Sequence, residues 1–138
     1  MKRHVLMTMR FIALVVVVAS AIAAVPASAH HSDVAYDQEK TVQLKSATVV
    51  SYQWRNPHGV LVCELKDDTG AVVRWTLETG SPASLTGQGW NRNSVVAGDV
   101  VTIDANPARN GTRFGRLLVV TKADGTVLRW RNAREGVI

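Results

Sequence analysis

The sequence predicts an all-β domain, a small OB-like Greek-key barrel of five to six strands with one short helix. Three observations carry that expectation. Six candidate strands are separated by turn signals, and the first three alternate with a period of two. The one clear helix-start signal, Ser81-Pro82, falls between the third and fourth of them. The first segment is long and has a small residue, Ser46, part-way along it, where a strand can bend and serve both sides of a closed sheet. Three strands, a short helix and two or three more strands within about 90 residues is the order of the OB-fold. A β-sandwich is the competing architecture, and the bend favours the barrel.

From Thr41, the residues Val42, Leu44, Thr48, Val50, Tyr52 and Trp54 share one parity, interrupted at Ser46, which predicts a long first strand with a bulge or bend there. Arg55-Asn56-Pro57-His58-Gly59 breaks it, because Asn-Pro initiates turns and proline has no N–H for a ladder. The second strand, Val60 to Lys66, puts Leu61, Cys63 and Leu65 on its core face. Asp67-Asp68-Thr69-Gly70 predicts a hairpin turn into a third strand, Ala71 to Glu78, with Val73, Trp75 and Leu77 inward and Arg74, Thr76 and Glu78 outward. Gly87 and Gly89 limit the helix at Ser81 to one or two turns. Gly98-Asp99 turns into a fourth strand, Val100 to Ala105, and Asn106 to Gly111 forms a second punctuated loop. A fifth strand, Phe114 to Thr121, an Ala123-Asp124-Gly125 turn and a short sixth strand, Thr126 to Trp130, complete the domain.

The amino terminus reads as an address. Lys2, Arg3 and Arg10 precede a run from Phe11 to Val25 that is apolar except for Ser20, and Ala27-Ser28-Ala29 supplies the small residues a signal peptidase needs. Residues 1–29 are therefore expected to be a Sec-type signal peptide and the product periplasmic or secreted, with cleavage after Ala29; a cut after Ala27 satisfies the same chemistry. The apolar run is shorter than the roughly 20 residues that span a bilayer as a helix, so no stable membrane anchor is expected after cleavage. Residues 30–40 then form a polar arm, 41–131 the barrel and 132–138 a tail. With 138 residues, 46% hydrophobic and 20% charged, the chain suits one folded domain and excludes both a multidomain enzyme and a disordered tail. Three of the 16 basic residues leave with the signal, which has no acid, so 13 face 11 acidic ones. That small excess excludes a strong electrostatic case for nucleic acid. The single cysteine, Cys63, has no disulfide partner and falls on a core parity, where an inert buried thiol is expected.

His30-His31-Ser32, Tyr36-Asp37, Trp54-x-Asn56-Pro57-His58, Trp75-x-x-Glu78, Pro82, Gly89-Trp90, Gly98-Asp99-x-Val101 and Pro107-Ala108 with Gly111 run through the whole mature chain. In these signatures the sequence resembles an uncharacterised bacterial secreted-protein family, the domain-of-unknown-function family numbered 6152. Ser46 and Ala105 stand where that pattern would have glycine. The resemblance implies a secreted small β domain and no established activity.

No G-x-S-x-G, H-E-x-x-H or P-loop occurs, and no two carboxylates are paired by spacing for acid–base work, so hydrolysis is not expected. In OB-folds the loops between strands 1 and 2 and strands 4 and 5 flank the binding face. These loops place Asn56, His58 and Arg109 at the expected ligand site, with Trp54 and Trp90 as aromatic candidates, although Trp54 lies on a core parity and Trp90 suits a barrel plug equally well. Clusters at Arg109, Arg113 and Arg116 and at Arg129, Arg131 and Arg134 read as solvated strand faces. The expected function is therefore that of a non-catalytic binding domain whose partner is a small ligand, a metal or a periplasmic protein. One sharper alternative concerns Cu(II). A mature chain beginning at His30 offers its α-amine and ring, and His58 or His31 a further imidazole, an all-nitrogen set suited to Cu(II) that resembles the histidine brace of secreted copper proteins.

Overall fold

A computed structural model describes residues 35–130. The expected signal segment, His30, His31, Arg131, Arg134 and the tail at 132–138 lie outside the described residues. Among the described residues six strands form, β1 (Val42–Gln53), β2 (Val60–Lys66), β3 (Val72–Glu78), β4 (Val100–Pro107), β5 (Phe114–Lys122) and β6 (Val127–Arg129), with a short helix, α1 (Pro82–Thr86), between β3 and β4. The antiparallel order is β3-β2-β1-β4-β5-β6, and a parallel pairing of Thr76–Glu78 in β3 with Phe114–Arg116 in β5 closes the first five strands on themselves. This is the OB-like Greek-key barrel, with β6 added to the far half of β5.

The strand β1 needs two irregularities to wrap the barrel. Between Leu44 and Ala47 it advances three residues while β4 recedes two, and between Val49 and Ser51 it advances two against one residue of β2. Each extra residue flips the face that follows. Leu44 is buried on one parity, Ala47 and Val49 on the other, and Tyr52 and Trp54 pack against the core on the first again. The single parity expected for Thr48 and Val50 is thus corrected: both point outward, and Val50 is 38% exposed. Ser46 occupies the first bulge at φ +52°, a left-handed conformation that glycine adopts without strain and serine does not.

Inside, Leu61, Cys63, Leu77, Ile103, Leu117 and Val120 are fully buried, so truncation of any of the leucines to alanine would cost on the order of 2–5 kcal/mol. Burial raises the Cys63 thiol, with a smaller contribution from the Glu64 charge, to a pKa of about 11. Ser81 caps α1, accepting a hydrogen bond from the Ser84 N–H, and Pro82 fills the first turn. Behind it Leu85, Trp90 and Val95 enter the core. The strand β4 runs two residues beyond its expected end at Ala105, because Asn106 and Pro107 still pair with Arg116 and Gly115.

Candidate binding cleft

The cleft is assembled from three segments distant in sequence. The first is the loop from Arg55 to Gly59, entered through a cis Asn56-Pro57 bond. At its exit the Gly59 N–H donates to Gly80 O and its carbonyl accepts from the Thr79 N–H. A Cβ at Gly59 would stand 2.5 Å from Thr79 Oγ1, so only glycine allows this approach, and the approach sets where His58 sits above β3.

The second segment is the end of β3. Its outward residues Thr76 and Glu78 face the cleft, and in the parallel ladder Glu78 lies beside Arg116 of β5. Arg116 is only 8% exposed and holds its guanidinium 4.7 Å over the Trp130 ring. Phe114, at the start of β5, forms a wall of the cleft and remains 52% exposed.

The third segment is the part of the polar arm at residues 35–40, which is docked on the end of β4 and the loop after it. Tyr36 bridges to Ala108, the Asp37 N–H donates to Pro107 O (2.9 Å), and the Arg109 N–H donates to Ala35 O (3.0 Å). The Asn106 amide donates to Lys40 O at 2.7 Å. The Asp37 carboxylate faces Lys40 at 3.2 Å and Arg109 at 4.0 Å; its hydrogen bond with Lys40 is the main cause that holds its pKa below the usual carboxylate value.

These segments meet at one carboxylate. Glu78 Oε1 lies 2.5 Å from His58 Nδ1, and Oε2 accepts the Tyr36 O–H at 3.0 Å. Burial, reinforced by the Glu78 charge and hydrogen bond and opposed by Arg116, raises the Tyr36 hydroxyl to a pKa of about 12, so it remains a donor under all ordinary conditions. Because an ionised carboxylate only accepts, His58 donates through Nδ1 and turns its other ring nitrogen away from Glu78. Around this triad Arg55, Asn56, Pro57, Val60, Thr76 and Phe114 enclose a volume of about 310 Å³. The arrangement offers a fixed imidazole, further polar groups from Arg55, Asn56 and Thr76, and an apolar wall.

The expected site residues distribute unevenly. Asn56 and His58 line this cleft. Arg109 does not; its backbone N–H and side chain hold the arm. Trp54 packs edge-on against Tyr52 and the core, 6.0 Å between ring centroids. Trp90 is 1% exposed and donates its indole N–H to Arg129 O, so it plugs the barrel and leaves no face for a ligand. Glu78, an exposed strand position by its parity, is instead the centre of the cleft, and nothing in the local sequence around Tyr36 marks it for chemistry. Both stand in the signatures Tyr36-Asp37 and Trp75-x-x-Glu78, whose polar members no packing pattern explains. A second, broader depression of about 660 Å³ lies between Arg74, Trp75, Pro107 and Arg113. Its arginines face Glu64 at 2.7 Å and Asp67 at 3.9 Å, which leaves less unneutralised charge for a ligand.

A family model described as a family of unknown function, DUF6152, matches residues 17–118, most of the chain. The chain belongs to this family. The matched region includes every residue of the Tyr36–His58–Glu78 triad and the cleft around it, through Phe114. Comparison with curated proteins and with solved structures finds no match.

Proposed function

We propose that this DUF6152 chain is an exported, non-catalytic binding domain whose ligand occupies the cleft beneath the first interstrand loop. The observation that carries the reading is the double engagement of Glu78. A carboxylate at a cleft open to water needs neither partner in order to be solvated, yet Glu78 is held by Tyr36 from the arm and by His58 from the loop. The arrangement fixes an imidazole before any ligand arrives, which lowers the ordering cost of binding. The volume, about 310 Å³, lies at the small end of ligand pockets and suits a compact molecule or ion. Export is supported by the charged start, apolar run and Ala27-Ser28-Ala29 of the amino-terminal segment.

The test is a thermal-shift screen of the mature protein against small organic acids, amines, sugars and divalent metal ions, repeated with His58→Ala and Phe114→Ala. Compounds that stabilise the parent are expected to lose most of that stabilisation in both variants. Equal stabilisation of parent and variants would place binding elsewhere.

A second reading has Cu(II) as the ligand, held by the mature amino terminus with His30, and His31 or His58. It is supported by the sequence alone, in which a cut after Ala29 leaves His30 first, with an α-amine and a ring nitrogen to offer. Among the described residues no three His, Cys, Asp or Glu side chains come together around a metal, so such a site depends on the terminal histidines.

A further inference from the structure

We infer that the cleft is built for a small hydroxycarboxylate, whose carboxylate pairs with Arg55, whose hydroxyl donates to Nε2 of His58 and whose apolar body lies against Phe114. This rests on the reading of the cleft as the binding site and supplies the class of its ligand. Charge decides the first contact. Besides Tyr36, which stays protonated, the ionisable side chains of the lining are Arg55, His58 and Glu78. Glu78 is engaged on both oxygens, by His58 Nδ1 and by the Tyr36 O–H, and Arg116 lies beside it in the parallel ladder. Arg55 is exposed and has no ion pair or hydrogen bond among the described residues. Two guanidiniums thus stand against one carboxylate, and the excess positive charge falls at Arg55. The planar fork of a guanidinium takes a carboxylate through two parallel hydrogen bonds, the complement a monoanion offers.

The imidazole decides the second contact. With Nδ1 donating to Glu78, a neutral His58 offers the cleft the lone pair of Nε2, an acceptor that needs an O–H or N–H from the ligand. A hydroxyl supplies that proton without a charge, whereas an ammonium group would meet Arg55 as a like charge. The third contact is apolar. Phe114 is 52% exposed on the cleft wall, and Val60 and Pro57 share the lining. Covering that surface removes it from water and favours a ligand with an aliphatic or aromatic body. A molecule the size of mandelate, with one ring, one hydroxyl and one carboxylate, fits a volume of about 310 Å³. Phosphate has no apolar body, and as a dianion it would set a second negative charge near Glu78.

The experiment titrates the protein beginning at His30, and its variants Arg55→Gln and His58→Ala, with lactate, mandelate, mandelamide, phenylacetate, benzylamine and inorganic phosphate, read by calorimetry and by amide shifts in NMR. Circular dichroism verifies that each protein is folded. The parent is expected to prefer mandelate over mandelamide, which lacks the charge, by roughly 10- to 100-fold, and over phenylacetate, which lacks the hydroxyl, by roughly 3- to 10-fold. Lactate, without the ring, should bind more weakly than mandelate. Arg55→Gln should erase the first preference and keep the second, and His58→Ala should do the reverse, a selective loss that a general disturbance of the cleft does not produce. If benzylamine or phosphate binds more tightly than mandelate while moving the signals of Tyr36, His58 and Phe114, the ligand class is overturned and the cleft stands as the binding site. Equal affinity of the parent and Arg55→Gln for mandelate overturns the carboxylate contact, and equal affinity of the parent for mandelate and phenylacetate overturns the hydroxyl contact. Absence of binding by both mandelate and lactate overturns the hydroxycarboxylate. Shift changes confined to the surroundings of Arg74, Trp75 and Arg113 with any of these probes overturn the cleft itself.

Discussion

Glu78 and Tyr36 illustrate how much chemistry a single side chain holds when the fold brings partners to it. The chain has two tyrosines, Tyr36 and Tyr52, and both hydroxyls are raised from 10.0 to about 12, chiefly by burial. Each is an acid whose folded pKa exceeds its unfolded one, so the folded state retains protons that the unfolded state gives up. Their contribution to stability is complete below pH 10 and is lost as pH rises from about 10 to about 12. Absorbance titration of the native protein should accordingly show almost no tyrosinate at pH 10, where free tyrosine is half ionised, and urea midpoints should decline above that pH. Half-ionised tyrosine at pH 10 in folded protein would contradict the burial of both. Burial of Cys63 is legible from its strand parity, because the relation to its neighbours Leu61 and Leu65 is local. The role of Glu78 is not, because its partners lie 42 residues away in the arm and across the first loop, and parity alone assigns an outward strand residue to solvent.

Among the elements, the strands and the helix lie close to where alternation and turn residues put them; the face of β1 does not. Period-two reading assumes an unbroken ladder, and β1 is broken twice, at Leu44/Ala47 and Val49/Ser51. Ser46 signals the first break by being small and polar within an apolar series; the second, near Val50, leaves no such mark. At Ser46 the left-handed backbone costs an L-residue about 1–2 kcal/mol, against about 0.5–1 kcal/mol of extra chain entropy that glycine would surrender on folding. Ser46→Gly should therefore stabilise the domain by about 0.5–1 kcal/mol, read as a raised urea midpoint at unchanged slope. A loss of stability would show that the serine side chain contributes something its exposed position does not suggest. The second loop behaves in the opposite way. Its punctuation is legible, but Asn106 belongs to β4 and spends its amide on Lys40 O, so this loop serves to hold the arm.

For the molecule as a whole, closure of β3 on β5 is what turns separate signatures into one site. The parallel pairing sets Glu78 beside Arg116 and brings Phe114 to the cleft, while Ala108, just past β4, pairs with Tyr36 of the arm, whose hydroxyl reaches Glu78. None of those juxtapositions is encoded by spacing along the chain; they follow from the barrel order. Whether this convergence binds a ligand is decided by two-dimensional NMR of the isotope-labelled protein beginning at His30, titrated with the compounds and ions that stabilise it thermally. Shift changes are expected to concentrate at Tyr36, Arg55, Asn56, His58, Glu78 and Phe114. Changes concentrated instead around Arg74, Trp75 and Arg113, with the triad unmoved, would contradict a binding site at the cleft.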